Sequence, residues 1–270
     1  MKIRKAAVTE LFYPSSPAVL SGVVETCLKN GVSPKQPIPS TRAWPKAVIA
    51  PHAGFSYSGA IAGSAFKTLA AGRKTIRRVV MLGPAHRVYV TGLAASSADF
   101  FETPLGLVPV DKTAMEKLVA FPQVHIFDEA HAPEHSLETH LPFLQLALDE
   151  FSIVPLIVGE SSLQEVAQVL DALWDGDETL IAVSSDLSHF HSYEAARELD
   201  QSTARAIETL RPQDIRFEHA CGRVAINGLL TVCPKYNLGA TTLDLRNSGD
   251  TCGQRDRVVG YGAWAFYEKQ

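Results

Sequence analysis

The chain has 270 residues, 46% of them hydrophobic and 20% charged, and a formal net charge of -4 at pH 7, a profile that suits a globular protein with an ample core. The mild charge and the lack of a basic block argue against a nucleic-acid partner, no apolar run reaches the roughly 20 residues that span a bilayer, and Met1 to Glu10 lacks the apolar core of a signal peptide. Four widely spaced cysteines, Cys27, Cys221, Cys233 and Cys252, with no CxxC pair, fit a reducing cytosol, so a cytoplasmic location is expected.

Apolar spacing predicts helices over Pro17 to Asn30, Gly59 to Ala71, Asp111 to Ala120, Leu141 to Glu150, Leu163 to Trp174, Tyr193 to Leu210 and Val224 to Val232. Short β-branched runs alternate with them at Ala47 to Ala50, Val79 to Leu82, Ile153 to Val158 and Ile181 to Val183, and two further strands are expected at Ala240 to Leu245 and Val258 to Phe266. Strands alternating with helices predict an α/β/α sandwich with helices on both faces. The late pair of strands, joined by the polar stretch Arg246 to Arg257, predicts an antiparallel edge and hence a mixed central sheet. No Gly/Ser- or Pro-rich linker divides the chain, so residues 1–270 are expected to form a single domain.

Four of these strands run directly into polar residues. Ala50 leads into Pro51–His52–Ala53–Gly54, Leu82 into Gly83–Pro84–Ala85–His86, Val158 into Gly159–Glu160, and Val183 into Ser184–Ser185–Asp186–Leu187–Ser188–His189. In an open sheet the carboxyl ends of the strands line the crevice where ligands bind, so these groups are expected to converge on one pocket rich in imidazole. A lone histidine after a strand usually hydrogen-bonds turn backbone. Two matched ones, His52 and His86, point instead to a shared metal ion, since neutral imidazole suits zinc, copper and iron.

The segment Glu134–His135–Ser136–Leu137–Glu138–Thr139–His140–Leu141–Pro142–Phe143 superficially resembles a zincin helix, but its histidines are five apart, where that motif needs four. His135, Glu138 and His140 are therefore read as groups that orient a ligand or contact substrate, with a solvated or capping cluster as the plainer alternative. Asp186 and His189, three apart on a strand-end turn, are the acid/base pair, with the carboxylate orienting the imidazole; helix capping is the other use open to Asp186. No G-x-S-x-G elbow marks a serine nucleophile. In the polar loop Asn247 to Asp256, Cys252 or Asp250 could supply a third metal ligand, and the sequence does not choose between them.

Taken together, PHAGFSYSG (Pro51 to Gly59), GPAH (Gly83 to His86), EHSLETHLPF (Glu134 to Phe143), SSDLSH (Ser184 to His189), CGR (Cys221 to Arg223) and VVGYGAWAF (Val258 to Phe266), with Leu11–Phe12–Tyr13–Pro14 ahead of them, resemble the Memo family, whose prokaryotic members are called AmmeMemoRadiSam system protein B. The resemblance implies a fold like that of the class III extradiol (LigB-like) dioxygenases. It also implies a metal site on His52, His86 and Cys252, with His189 and Asp186 as the catalytic acid/base groups. The cysteine alignment needs a one-residue gap. A thiolate in place of the carboxylate of true extradiol enzymes changes metal preference and potential, so ring-opening of a catechol does not follow from the fold. The expected function is that of a metal-binding, redox-active protein holding one iron or copper ion, with zinc as a third option. The alternatives are a module that binds peptides or phosphopeptides and a metal-dependent hydrolase. The expected partners are a small-molecule or peptide ligand and, from the family name, radical-SAM and AMMECR-type proteins.

Overall fold

The computed structural model describes residues 1–33, 40 and 42–269. Its strands are β1 (Ile3–Arg4), β2 (Ala47–Ala50), β3 (Arg78–Pro84), β4 (Leu93–Ala95), β5 (Phe100–Thr103), β6 (Gly106–Pro109), β7 (Val124–Ile126), β8 (Ser152–Val158), β9 (Thr179–Ser184), β10 (His189–His191), β11 (Leu238–Asn247) and β12 (Val258–Glu268). The helices are α1 (Pro17–Asn30), α2 (Phe55–Phe66), α3 (Lys112–Leu118), α4 (Asp128–His131), α5 (Leu141–Ala147), α6 (Leu163–Ala172), α7 (Tyr193–Glu208) and α8 (Arg223–Val232).

The four apolar runs lie side by side. The large sheet has the order β10-β12-β2-β9-β3-β8-β4-β7, with β11 added along β12. β2, β9, β3 and β8 are mutually parallel, in a register that pairs Ala50 with Ser184 and Leu82 with Val183. Every residue of β2 and β9 is buried. That explains why these strands read as unbroken apolar runs without alternation: both faces of a parallel sheet are covered by helices. β12 runs antiparallel to β2, and β4 antiparallel to β8. The sheet is therefore mixed and the fold is α/β, as the sequence predicts. A small sheet, β1-β5-β6, carries the N-terminal strand.

The departures are local. α2 begins at Phe55, four residues before the expected Gly59, because Gly54 ends the extended turn after β2 and the helix starts at once; Lys67–Gly72 continues it as a 3-10 turn. The late hairpin is longer than expected, and only β11 lies at the edge, since β12 sits between β11 and β2. β1, β4, β5, β6, β7 and β10 were not foreseen, because two to four residues of mixed composition carry no readable period. Among the described residues no helix is long and apolar enough to cross a membrane.

Candidate metal centre

His52, His86 and Asp186 each lie two residues beyond the end of their strand, and those strands, β2, β3 and β9, are neighbours. Parallel register therefore delivers all three side chains to one rim. The third histidine comes from elsewhere. His135 sits in the loop after α4, and one ring nitrogen each from His52, His86 and His135 lie within 4.8 Å of one another. The ring centroids are 4.7–5.3 Å apart. The loop can reach the rim because Gly83 has no side chain: a Cβ there would meet Ser136 Oγ at 2.7 Å. Two hydrogen bonds then fix it, from Ser136 Oγ to the Pro84 carbonyl at 3.0 Å and from Ser184 Oγ to the Ser136 carbonyl at 2.5 Å.

Hydrogen bonding also fixes which nitrogens are free. Ser184 uses its proton on Ser136, so at 2.7 Å its oxygen accepts from His52 Nδ1–H. The Glu134 carboxylate can only accept, so His86 Nδ1–H donates to it at 2.9 Å. In both rings the lone pair is then on Nε2, the arrangement of a metal ligand oriented by a partner on its other nitrogen. Glu134 is 2% exposed and also accepts backbone N–H bonds from His86, His135 and Ser136. Burial pushes its carboxyl up, but the bonds from His86 and the backbone outweigh that and hold it at about 2. Burial keeps His52 well below the ordinary histidine range and brings His135 down to about 4, leaving both rings neutral at pH 7. Neutral, oriented imidazole is the form that binds metal.

Through His86 the cluster adjoins a cavity of about 850 Å³ whose walls include Val88, Tyr89, Leu187, His189, Phe217 and Cys221. Asp186 accepts N–H bonds from His52, at 2.9 Å, and Ala53, yet burial pushes its carboxyl up to about 7. It thus serves the His52 turn and does not orient His189 as expected: His189 Nδ1 donates to the Leu187 carbonyl at 2.8 Å, which leaves its Nε2 lone pair free. His191 is exposed and lines the same cavity.

Several sequence-derived site residues lie outside the three-histidine group. Cys252 is exposed and its thiol donates to the Ser56 carbonyl at 3.4 Å. Asp250 caps its own loop, accepting from Asn247 N–H at 3.0 Å and from the Tyr193 hydroxyl at 2.5 Å. Glu138 is a buried clamp for the N-terminal segment, bound by Arg4, Tyr13 and the N–H groups of Ala7 and Val8. His140 Nε2 donates to the Pro51 carbonyl at 3.1 Å and so braces the turn that carries His52. Sequence reasoning missed two residues. Glu134 was passed over although a carboxylate directly before a histidine was a usable signal. Cys221, given no site role by the sequence, sits on the cavity wall with Sγ 3.4 Å from His52 Nε2. Burial pushes its thiol up to about 12, so it is protonated, and it donates to the Asp186 carbonyl at 3.6 Å.

The sequence matches the family described as Memo-like protein over residues 4–265. A MEMO1 family protein of Aquifex aeolicus is 34% identical over 277 residues, covering 98% of this chain and 100% of that protein. One from Nitrosopumilus maritimus is 32% identical over 281 residues, covering 98% and 99%. Among solved structures, an uncharacterized protein from Escherichia coli is similar with a TM-score of 0.50 at 13% identity, covering 80% of this chain and 98% of that one. At that identity the likeness is one of fold alone.

Proposed function

The chain belongs to the Memo-like protein family, and from that premise we propose that His52, His86 and His135 hold one transition-metal ion and that the protein is a metal-dependent enzyme acting on a small molecule in the adjoining cavity. The observation that carries this reading is the set of three ring nitrogens within 4.8 Å of one another, one of them on His86, which lines the cavity. The donor chemistry fits. All-imidazole sets suit iron, copper and zinc, and the His52 and His86 lone pairs are already turned inward by Ser184 and Glu134.

An ion held there supplies Lewis acidity and, if it is iron or copper, a route for electron exchange. The chain's own residues do the rest. Glu134 keeps His86 in one tautomer. Asp186, with its carboxyl at about 7, takes up or releases a proton near neutral pH. His189 offers an unprotonated Nε2 on the cavity wall, and Leu187, Val88 and Val90 give that wall an apolar lining.

Two chemistries fit this frame. The dioxygenase-like, oxidative reading rests on the resemblance to extradiol enzymes. The hydrolytic reading draws on the donor set, since three imidazoles without a carboxylate are the arrangement of a catalytic zinc site and not of a two-histidine, one-carboxylate iron site. Elemental analysis of protein purified without oxygen or chelators, followed by oxygen-electrode assays with a panel of catechols, separates them. Bound iron or copper with oxygen uptake supports the oxidative reading; zinc without uptake supports hydrolysis. Full metal occupancy in the His52→Ala, His86→Ala double variant would overturn the site itself.

A further inference from the structure

Beside the C-terminal turn of α7 lies a second cavity, of about 390 Å³, lined by Ser202, Arg205, Arg211, Asp214, Arg216 and His219. We propose that it binds a phosphate-type anion. Three guanidinium groups converge here from separate pieces of chain: Arg205 from the helix, Arg211 from the turn after it, and Arg216 from the segment leading towards α8. One carboxylate accompanies them, and it is already engaged, because Arg211 Nε bonds Asp214 at 3.0 Å. Among the described residues, Arg205 and Arg216 make no ion pair.

The neutral groups differ in polarity. Arg216 N–H donates to His219 Nδ1 at 3.1 Å, so the neutral ring carries its proton on Nε2 and offers a donor. Ser202 spends its own proton on the Leu199 carbonyl at 2.7 Å. The cavity therefore presents the His219 donor and three guanidinium groups against one engaged carboxylate, with the Ser202 oxygen as an acceptor among the lining side chains. Arg205 in the last turn of α7 complements the helix dipole, but that does not account for Arg211 and Arg216 gathering around it. Forked, planar guanidinium groups match the oxygens of a phosphate, which would relieve the repulsion between them.

The location gives the site a consequence for the metal cavity. In the segment Arg216 to Cys221, Phe217, Glu218, Ala220 and Cys221 line the histidine cavity, while Arg216 and His219 line this one. The two cavities thus share a wall, and an anion held by Arg216 and His219 steadies the stretch that carries Cys221.

The test is calorimetric titration of the full chain with inorganic phosphate and pyrophosphate at low ionic strength. Saturable binding is expected, about tenfold weaker in Arg205→Gln and in Arg216→Gln, and retained in the His52→Ala, His86→Ala variant. These arginines are exposed, so their replacement leaves the fold intact, which circular dichroism checks. Competition by a phosphoserine peptide distinguishes a protein-borne phosphate from a free one, and either source supports the site. Absence of saturable binding, unchanged binding in both arginine variants, or loss of binding in the histidine variant would overturn the proposal; the last would place the anion at the histidine cluster.

Discussion

Glu134 shows how much one buried carboxylate does at this centre. It fixes the His86 tautomer and receives the backbone of the His135 loop. Glu134→Gln preserves volume but can turn an amide N–H towards His86 Nδ1–H. Loss of such an orienting partner typically lowers metal affinity about 10–100-fold. A metal-competition titration with unchanged far-UV dichroism is the expected result, and wild-type affinity would remove Glu134 from the centre. Cobalt reports on the sulfur question. A thiolate ligand gives Co(II) an intense charge-transfer band that imidazole does not. Because Cys252 bonds Ser56 and is exposed, the Co(II) spectrum of Cys252→Ser is expected to match that of the unmodified protein. A band lost in that variant alone would put Cys252 back among the ligands.

At the scale of elements, the centre depends on how closely the 134–137 loop rides on β3. A Cβ at Gly83 would sit 2.7 Å from Ser136 Oγ and 2.8 Å from Leu137 Cδ2. Overpacking of this kind costs about 1–3 kcal/mol. Gly83→Ala is therefore expected to lower the urea midpoint and, by pushing His135 off the rim, to weaken metal binding beyond what the stability loss explains. A variant that keeps the wild-type midpoint and metal affinity would show that the loop finds its place without this contact. The N-terminal segment is tied down in a different way. Arg4 and Glu138 form a buried ion pair, and Arg4→Met strands the carboxylate, at a cost of about 3–5 kcal/mol, readable in the same denaturation experiment.

For the whole molecule, buried neutral histidines set the response to acid. Burial lowers His131 and His140 to about 4 each, against an ordinary value of 6.5, with their carbonyl bonds working weakly in the opposite direction. Both are almost fully buried. Between those values the unfolded chain binds more protons than the folded one, so stability falls as pH falls. The loss begins near 6.5, is complete near 4, and amounts to about 3 kcal/mol per histidine at the low end. Asp186 and Asp200, raised by burial to about 7 and about 6, gain stability over part of the same range, so the histidine effect is read as a difference. The change in urea midpoint from pH 7.5 to pH 5 is expected to be less unfavourable in His140→Gln than in the unmodified protein. An equal change would show that this ring is protonated within the fold.

The alternation of apolar runs with helical periods sufficed to specify an α/β fold with a mixed sheet, because parallel strands buried on both faces and amphipathic helices leave direct traces in sequence. It also located His52, His86 and Asp186 on one rim, since neighbouring parallel strands carry the residues just beyond their ends to the same edge. Long-range contacts decided the remainder. His135 and Cys252 both lie in polar loops, and nothing in their local sequence separates them. His135 joins the other two histidines because Gly83 lets its loop onto β3 and Ser184 bonds Ser136, residues 53 and 48 positions apart in the chain, respectively. Cys221 carries no local mark of a site either: only the packing of the segment before α8 against the turn after β2 brings its sulfur to His52. Local sequence encodes period and strand end, whereas the placement of a loop is the sum of contacts made by residues far away along the chain.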